Sequence, residues 1–167
     1  GKLLVSGGRQ RVDGHLLGEG KYYDKASLVL LDLETGKIEE KLSKDDGGAH
    51  YPDETPNQQF AAGCLEGDYL WVPTDTEVMK VKLPEFSVEK VFSHPCFHNI
   101  HSVHLYDDQL VVTSTGLDNV VLLNKESGEI EGILNAEGKD PWHRFDQEFD
   151  YRLIHSTRPH DSHPNYV

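Results

Sequence analysis

Three segments of this chain can be laid over one another. Leu31 to Leu42 reads LDLETGKIEEKL, Val81 to Phe92 reads VKLPEFSVEKVF and Leu123 to Leu134 reads LNKESGEIEGIL. In this alignment Leu33, Leu83 and Lys125 share a column, as do Ile38, Val88 and Ile130, and Glu39, Glu89 and Glu131. Each segment is an alternating apolar run, a short turn and a second run. Thr35-Gly36 and Ser127-Gly128 hold the turn in two copies, and Pro84 opens it in the third. Alternation with period two and Gly at a tight turn predict a β-hairpin. A further strand precedes each hairpin: Lys2 to Ser6 (KLLVS), Tyr69 to Thr74 (YLWVPT) and Gln109 to Ser114 (QLVVTS). Before two of these come Phe60 to Leu65 and His101 to Leu105.

The unit is therefore four short antiparallel strands over about 40 residues, the size and strand count of one β-propeller blade. The sequence predicts an all-β fold of about three blades, approximately 2–43, 60–92 and 101–134. The alternative is a β-sandwich with evenly spaced strands. The first unit lacks its innermost strand, and His163 to Val167 (HPNYV) reads as the first strand of a further blade. Propellers close with about four to eight blades. The expectation is that the chain is either a piece of a longer protein or half of a six-bladed ring made by head-to-tail dimerisation. Two stretches interrupt the repeat, an insertion at 9–25 and a longer one at 136–162.

Charge excludes two classes of partner. Lys and Arg total 16 against 29 Asp and Glu, a net charge of −13. Binding to phosphate backbones or anionic lipid rests on clustered Lys and Arg, so neither nucleic acid nor a membrane surface is expected as a partner. No apolar run approaches the length of a transmembrane helix, and no signal peptide opens the sequence. With two cysteines, Cys64 and Cys96, a disulfide scaffold is excluded and two buried thiols are expected.

Histidine is the residue in excess, with ten copies. One cluster holds His94, His98, His101 and His104, the other His155, His160 and His163. Each contains an H-x-x-H step, His98/His101 and His160/His163, just before or at the start of an innermost strand. Such strands line the axial channel of a propeller, so these side chains are expected to converge although they are distant in sequence. Neutral imidazoles offer lone pairs to a divalent metal, and His98, His101, His160 and His163 are the expected ligands. The other reading is that they hydrogen-bond backbone groups at blade junctions. Asp161 lies inside the second step and Arg158 beside it. The carboxylate is expected to orient or ligate, and the guanidinium to hold an anionic substrate group. His15, His94 and His143 are read as loop residues.

The third unit, DDQLVVTSTGLDNVVLLNKESGEIEGIL, resembles the blades of propellers built of NHL, YVTN or TolB-like repeats. The histidine-led entry strands are also similar to arylsulfotransferase-like propellers. That resemblance implies His101, His160 or His163 as the group-transfer residue, with Arg158 as anion partner. Propeller lyases and oxygenases with axial histidine-bound metal offer an equal analogy. Three functions are carried forward: a divalent-metal-dependent enzyme (lyase, hydrolase or oxidase type) on a small polar substrate, a non-catalytic ligand- or protein-binding propeller, and histidine-based group transfer without metal.

Overall fold

A computed structural model describes all of residues 1–167. Eleven strands form three antiparallel sheets in sequence order. The first sheet has three strands, β1 (Lys2–Gln10), β2 (Tyr23–Asp32) and β3 (Ile38–Lys44). The second has four, β4 (Cys64–Glu66), β5 (Tyr69–Pro73), β6 (Val78–Lys82) and β7 (Ser87–Phe92). The third has β8 (Ile100–Tyr106), β9 (Gln109–Ser114), β10 (Asn119–Asn124) and β11 (Ile130–Asn135). Each sheet is a simple meander, and a bulge breaks the pairing of its last two strands, which adds twist there. The fold is all-β, three antiparallel sheets of three or four strands, consistent with part of a propeller-like fold.

The sheets stack face to face because their strands carry apolar side chains on alternate sides. Leu70 and Val72 of β5 pack toward the first sheet, with Ala26, Leu28, Phe60, Met79 and Val81. Trp71, between them in sequence, points the other way and joins Phe97, Ile100, Leu110, Val112, Leu117 and Val121. The middle sheet is thus buried on both faces, and β5 accordingly reads as a continuous apolar run. Trp71 is fully buried, and its indole Nε1 donates to Glu66 Oε2 at 2.8 Å.

The hairpin turns follow from two devices. Asp32 accepts from the backbone N–H of Glu34 and Thr35, and Asn124 accepts from that of Glu126 and Ser127. Gly36 and Gly128 then take φ of 70° and 73°, values that cost a side chain strain. The middle hairpin has no such Gly, and Phe86 adopts φ 58° instead.

Three local features differ from the sequence expectation. The first insertion is narrower than 9–25, because β1 and β2 remain paired out to Gln10 and Tyr23; the irregular part is 11–22, with a single helical turn, α1 (Gly14–Leu17). The first strand of the middle sheet is shorter than 60–65. Its lead-in is drawn off to neighbouring sheets: Gln58 N–H donates to Tyr23 O, Phe60 N–H to Gly7 O and Ala62 N–H to His101 O. Residues 163–167 lie beside the third sheet but pair with no strand of this chain. No helix is long and apolar enough to cross a membrane.

Candidate functional site

Parallel bridging between Ala62 and Ser102 sets the entry of the middle sheet beside β8. The 163–167 segment runs along the other side, where Thr115 Oγ1 donates to Pro164 O at 2.5 Å. Between them lies an open recess of about 340 Å3 lined by Gln59, Ala61, Ala62, His101, Asn165 and Tyr166. Three successive entry segments therefore contribute to one space.

His101 is the second residue of β8. Its Nδ1 is 2.5 Å from Asn165 Oδ1. An amide oxygen only accepts, so this ring carries its proton on Nδ1 and leaves Nε2 with a free lone pair. Burial pushes its pKa down, with the Asn165 bond opposing. His163 meets it edge to face, ring centroids 4.9 Å apart. The His160 and His163 rings lie 5.4 Å apart at 20° between planes, with Nδ1 facing Nδ1 at 3.2 Å. That combination is a side-by-side pair joined nitrogen to nitrogen, since face-to-face rings would not bring two edge atoms so close at that centroid distance.

The proton positions in this pair follow from its neighbours. Thr157 Oγ1 donates to Gly116 O, so its lone pairs accept from His160 Nε2 at 3.2 Å. With its proton on Nε2, a neutral His160 has an accepting Nδ1, and His163 must donate from its own Nδ1. Burial lowers the His160 pKa and favours that neutral form. His163, like His101, is left with a free Nε2.

A strap from the long insertion holds these groups. Asp118, fully buried, sits at φ 57° after a single 3-10 turn (Thr115–Leu117). Its carboxylate accepts from Arg144 Nη1 at 2.6 Å and from the backbone N–H of Asp161 and Ser162, both at 3.1 Å. The 11–22 insertion supplies Glu19, which accepts from Ser156 Oγ at 2.5 Å and pairs with Arg158 Nε at 2.7 Å. Glu19 Oε1 also lies 3.9 Å from His160 Nε2.

The expected site residues separate into two groups. His101, His160 and His163 come together. His98 does not join them: it is 4% exposed, its Nε2 donates to Ile154 O at 3.2 Å, and its Nδ1 has no partner. Burial drives its pKa down to about 4, so it is a neutral core imidazole. Arg158 is tied to Glu19 and does not line the recess. Asp161 faces His143 Nε2 at 3.1 Å, Lys139 Nζ at 3.0 Å and Arg144 at 3.4 Å, and no hydrogen bond or ion pair links it to His160 or His163. Hydrogen bonds from His143 and Lys139, with the charges of Arg144 and Lys139, lower its pKa to about 2. The sequence reading gave no role to Glu19, Asp118 or Asp75. The last is a buried carboxyl held by Asn57 Nδ2 at 2.7 Å and Gln59 Nε2 at 3.0 Å, with its pKa raised to about 6 by burial. Cys96 is buried as expected, whereas Cys64 is half-buried.

The residues do not complete the expected metal centre. His160 Nδ1 and His163 Nδ1 are close to the spacing of two ligands on one tetrahedral ion. Yet no group of three or more His, Cys, Asp or Glu side chains is arranged to hold one.

No family model matches the chain, and no curated protein matches it. Among the solved structures that match is the crystal structure of Myxococcus xanthus glutaminyl cyclase, at 12% identity and a TM-score of 0.47. The match covers 66% of this chain and 42% of that one, so the chain spans less than half the length of that structure.

Proposed function

We propose that the chain is part of a propeller enzyme that uses His101 and His163 as a metal-independent acid–base pair on a small polar substrate in the recess. The observation that carries this reading is the pinning of Nδ1 in both rings. Asn165 holds the His101 proton, and the line from Gly116 O through Thr157 and His160 holds the His163 proton. Each ring then presents an unprotonated Nε2. A neutral imidazole with one nitrogen fixed as donor is suited to take a proton at the other near neutral pH. Either ring can take a proton from the substrate at its Nε2 and, now charged, return that proton to a different substrate atom. The same Nε2 lone pairs are nucleophilic, so transfer of a group through histidine uses the same arrangement. Glu19 acts as a positioning residue, set to favour the charged form of His160 when a proton passes along the line.

The Nδ1 spacing of His160 and His163 favours a second reading, a divalent ion held by these two nitrogens together with ligands from outside the chain. Histidine 15N NMR on the native protein separates the two readings. The acid–base reading expects Nδ1–H neutral tautomers for His101 and His163, an Nε2–H tautomer for His160 and no stoichiometric metal. Nε2–H tautomers at His101 and His163 would overturn it. So would a bound divalent ion lost in His163→Ala.

A further inference from the structure

We propose that the side-chain amide of Gln59 determines which substrate groups the recess accepts, with Asp75 as the positioning residue that sets whether the amide oxygen or the amide NH2 faces the substrate. The proposal deepens the acid–base reading and rests on the recess being its substrate site.

Asp75 sits in the turn between β5 and β6, and that turn is held in place. Thr74 Oγ1 accepts from the backbone N–H of Glu77 at 3.1 Å, and Ile100 N–H at the start of β8 donates to Asp75 O at 3.1 Å. The carboxylate meets two amides from the lead-in to the middle sheet, Asn57 on Oδ2 and Gln59 on Oδ1. Only one of these amides is free to turn. Asn57 Oδ1 accepts from Tyr23 N–H at 2.9 Å. A main-chain N–H only donates, so the Asn57 NH2 group must face Asp75. Gln59 has no second partner: its Nε2 donates to Asp75, and its Oε1 is neither bonded nor sealed from solvent. Gln59 lines the recess together with His101.

A charged Asp75 carboxylate only accepts, which fixes the Gln59 NH2 group on it and leaves Oε1 for the recess. The substrate group that meets Gln59 is then an O–H or N–H. Protonation reverses this. Asn57 still needs an acceptor on Oδ2, so the proton settles on Oδ1, opposite Gln59. Two donors face each other there, an arrangement that costs a buried pair its bond. Turning the amide over relieves it: Oε1 accepts from the carboxyl O–H, and the NH2 group faces the recess. A substrate carbonyl or carboxylate is now favoured in place of a donor. Burial raises the Asp75 pKa to about 6, with the bonds from Asn57 and Gln59 opposing, so the change falls near neutral pH. The other titratable groups around the turn are engaged elsewhere. Tyr51 O–H bonds Thr74 and Glu77, Arg152 holds Asp150, His155 Nε2 donates to Glu54 O, and His98 is a neutral core ring. On the recess side the titratable neighbour is His101.

Side-chain NMR of the 15N-labelled chain, from about pH 8 down to about pH 5, spans the carboxyl titration and reads the turn without a substrate. At the alkaline end the Gln59 NH2 protons are expected to contact those of Asn57 across the carboxylate. On acidification those contacts are lost and contacts with recess side chains replace them, with the same midpoint as the Asp75 carboxyl 13C signal, about 6. Asp75→Asn mimics the protonated state, because the Asn57 NH2 group takes the oxygen of the introduced amide and leaves its NH2 for Gln59 Oε1. Its Gln59 contacts are expected to match the acidic pattern at every pH. Gln59 contacts that stay unchanged through the Asp75 titration, the proton passing instead to the partnerless Thr76 Oγ1, overturn the proposal. So does an Asp75→Asn chain that keeps the alkaline pattern. The titration of the parent chain needs no variant, so it decides the matter even where Asp75→Asn loses its fold. The histidine tautomers test the acid–base reading separately. Nδ1–H rings at His101 and His163 with a fixed Gln59 amide remove this proposal alone; Nε2–H rings with a turning amide remove the acid–base reading alone.

Discussion

Asp118→Asn tests whether one buried carboxylate holds the strap that carries His160 and His163. Asn is nearly isosteric and tolerates the left-handed φ of 57° at this position, so the substitution isolates charge and acceptor capacity. The two donors on Oδ2, Arg144 Nη1 and Asp161 N–H, and the one on Oδ1, Ser162 N–H, cannot all be served by an amide. In the better orientation the NH2 group faces Ser162 N–H, leaving one buried donor against another, at about 1–3 kcal/mol. The remaining oxygen is neutral and holds Arg144 less tightly; the guanidinium is 20% exposed, which discounts that share below the figure for a fully buried pair. The sum is about 3 kcal/mol, or about 6–12 °C in Tm for a chain of this size. Urea unfolding measures the global part. Hydrogen exchange at Asp161 and Ser162 measures the local part, where protection falls first because these amides lose their acceptor. A change under about 1 kcal/mol with both amides still protected would refute the assignment of Asp118 as the anchor.

Two buried groups give stability opposite pH slopes. His98 has a folded pKa depressed to about 4 from 6.5, so its contribution is lost as pH falls through that window. Asp75 is raised to about 6 from 3.8, so its contribution is lost as pH rises through a window that largely overlaps. Asp75→Asn removes one slope. Between pH 6 and 4 the variant is expected to lose about 2 kcal/mol more than the parent in urea titrations; parallel curves would contradict the burial of that carboxyl. Gly116→Ala drives a Cβ into His98 Nδ1 and is expected to cost about 2–3 kcal/mol through overpacking, read by the same titration; a loss below about 0.5 kcal/mol would mean the ring is free to move.

The blade architecture was legible because it is written locally. Alternation in QLVVTS and NVVLLN, and the Asx-then-Gly turns at Asp32 and Asn124, need no knowledge of distant partners. The meeting of His101 with His163 was legible for a related reason: equivalent places in successive sheets converge by symmetry of the fold. The parts that escaped have no repeated counterpart. Glu19 reaches Ser156 across 137 residues of sequence, from an insertion that occurs once. Asp118 sits in a turn that looks like any other Asp-Asn corner. The same blindness explains Arg158 and Asp161. Both have the residue types of a site, but their partners, Glu19 for one and Lys139 with His143 for the other, lie on the two insertions whose paths the repeat does not dictate. His98 shows a further limit. An H-x-x-H step on an extended chain sends its two rings different ways, and here the first becomes core.

What fixes the chemistry of the recess is where its proton lines end. The line through His163, His160 and Thr157 stops at Gly116 O, and the bond from His101 stops at Asn165 Oδ1. Neither acceptor titrates in the range where imidazoles do. A carboxylate in their place would raise the imidazole pKa and leave the rings charged at neutral pH. A neutral acceptor fixes the tautomer without that penalty, and partial burial lowers the His101 and His160 pKa values further. Glu19, the one carboxylate close to the line, stands 3.9 Å from His160 Nε2 and is already engaged by Arg158 and Ser156. The proposed acid–base reading draws on this: burial favours the neutral form of His101 and His160, and the one nearby carboxylate lies beyond the far end of the line, next to His160.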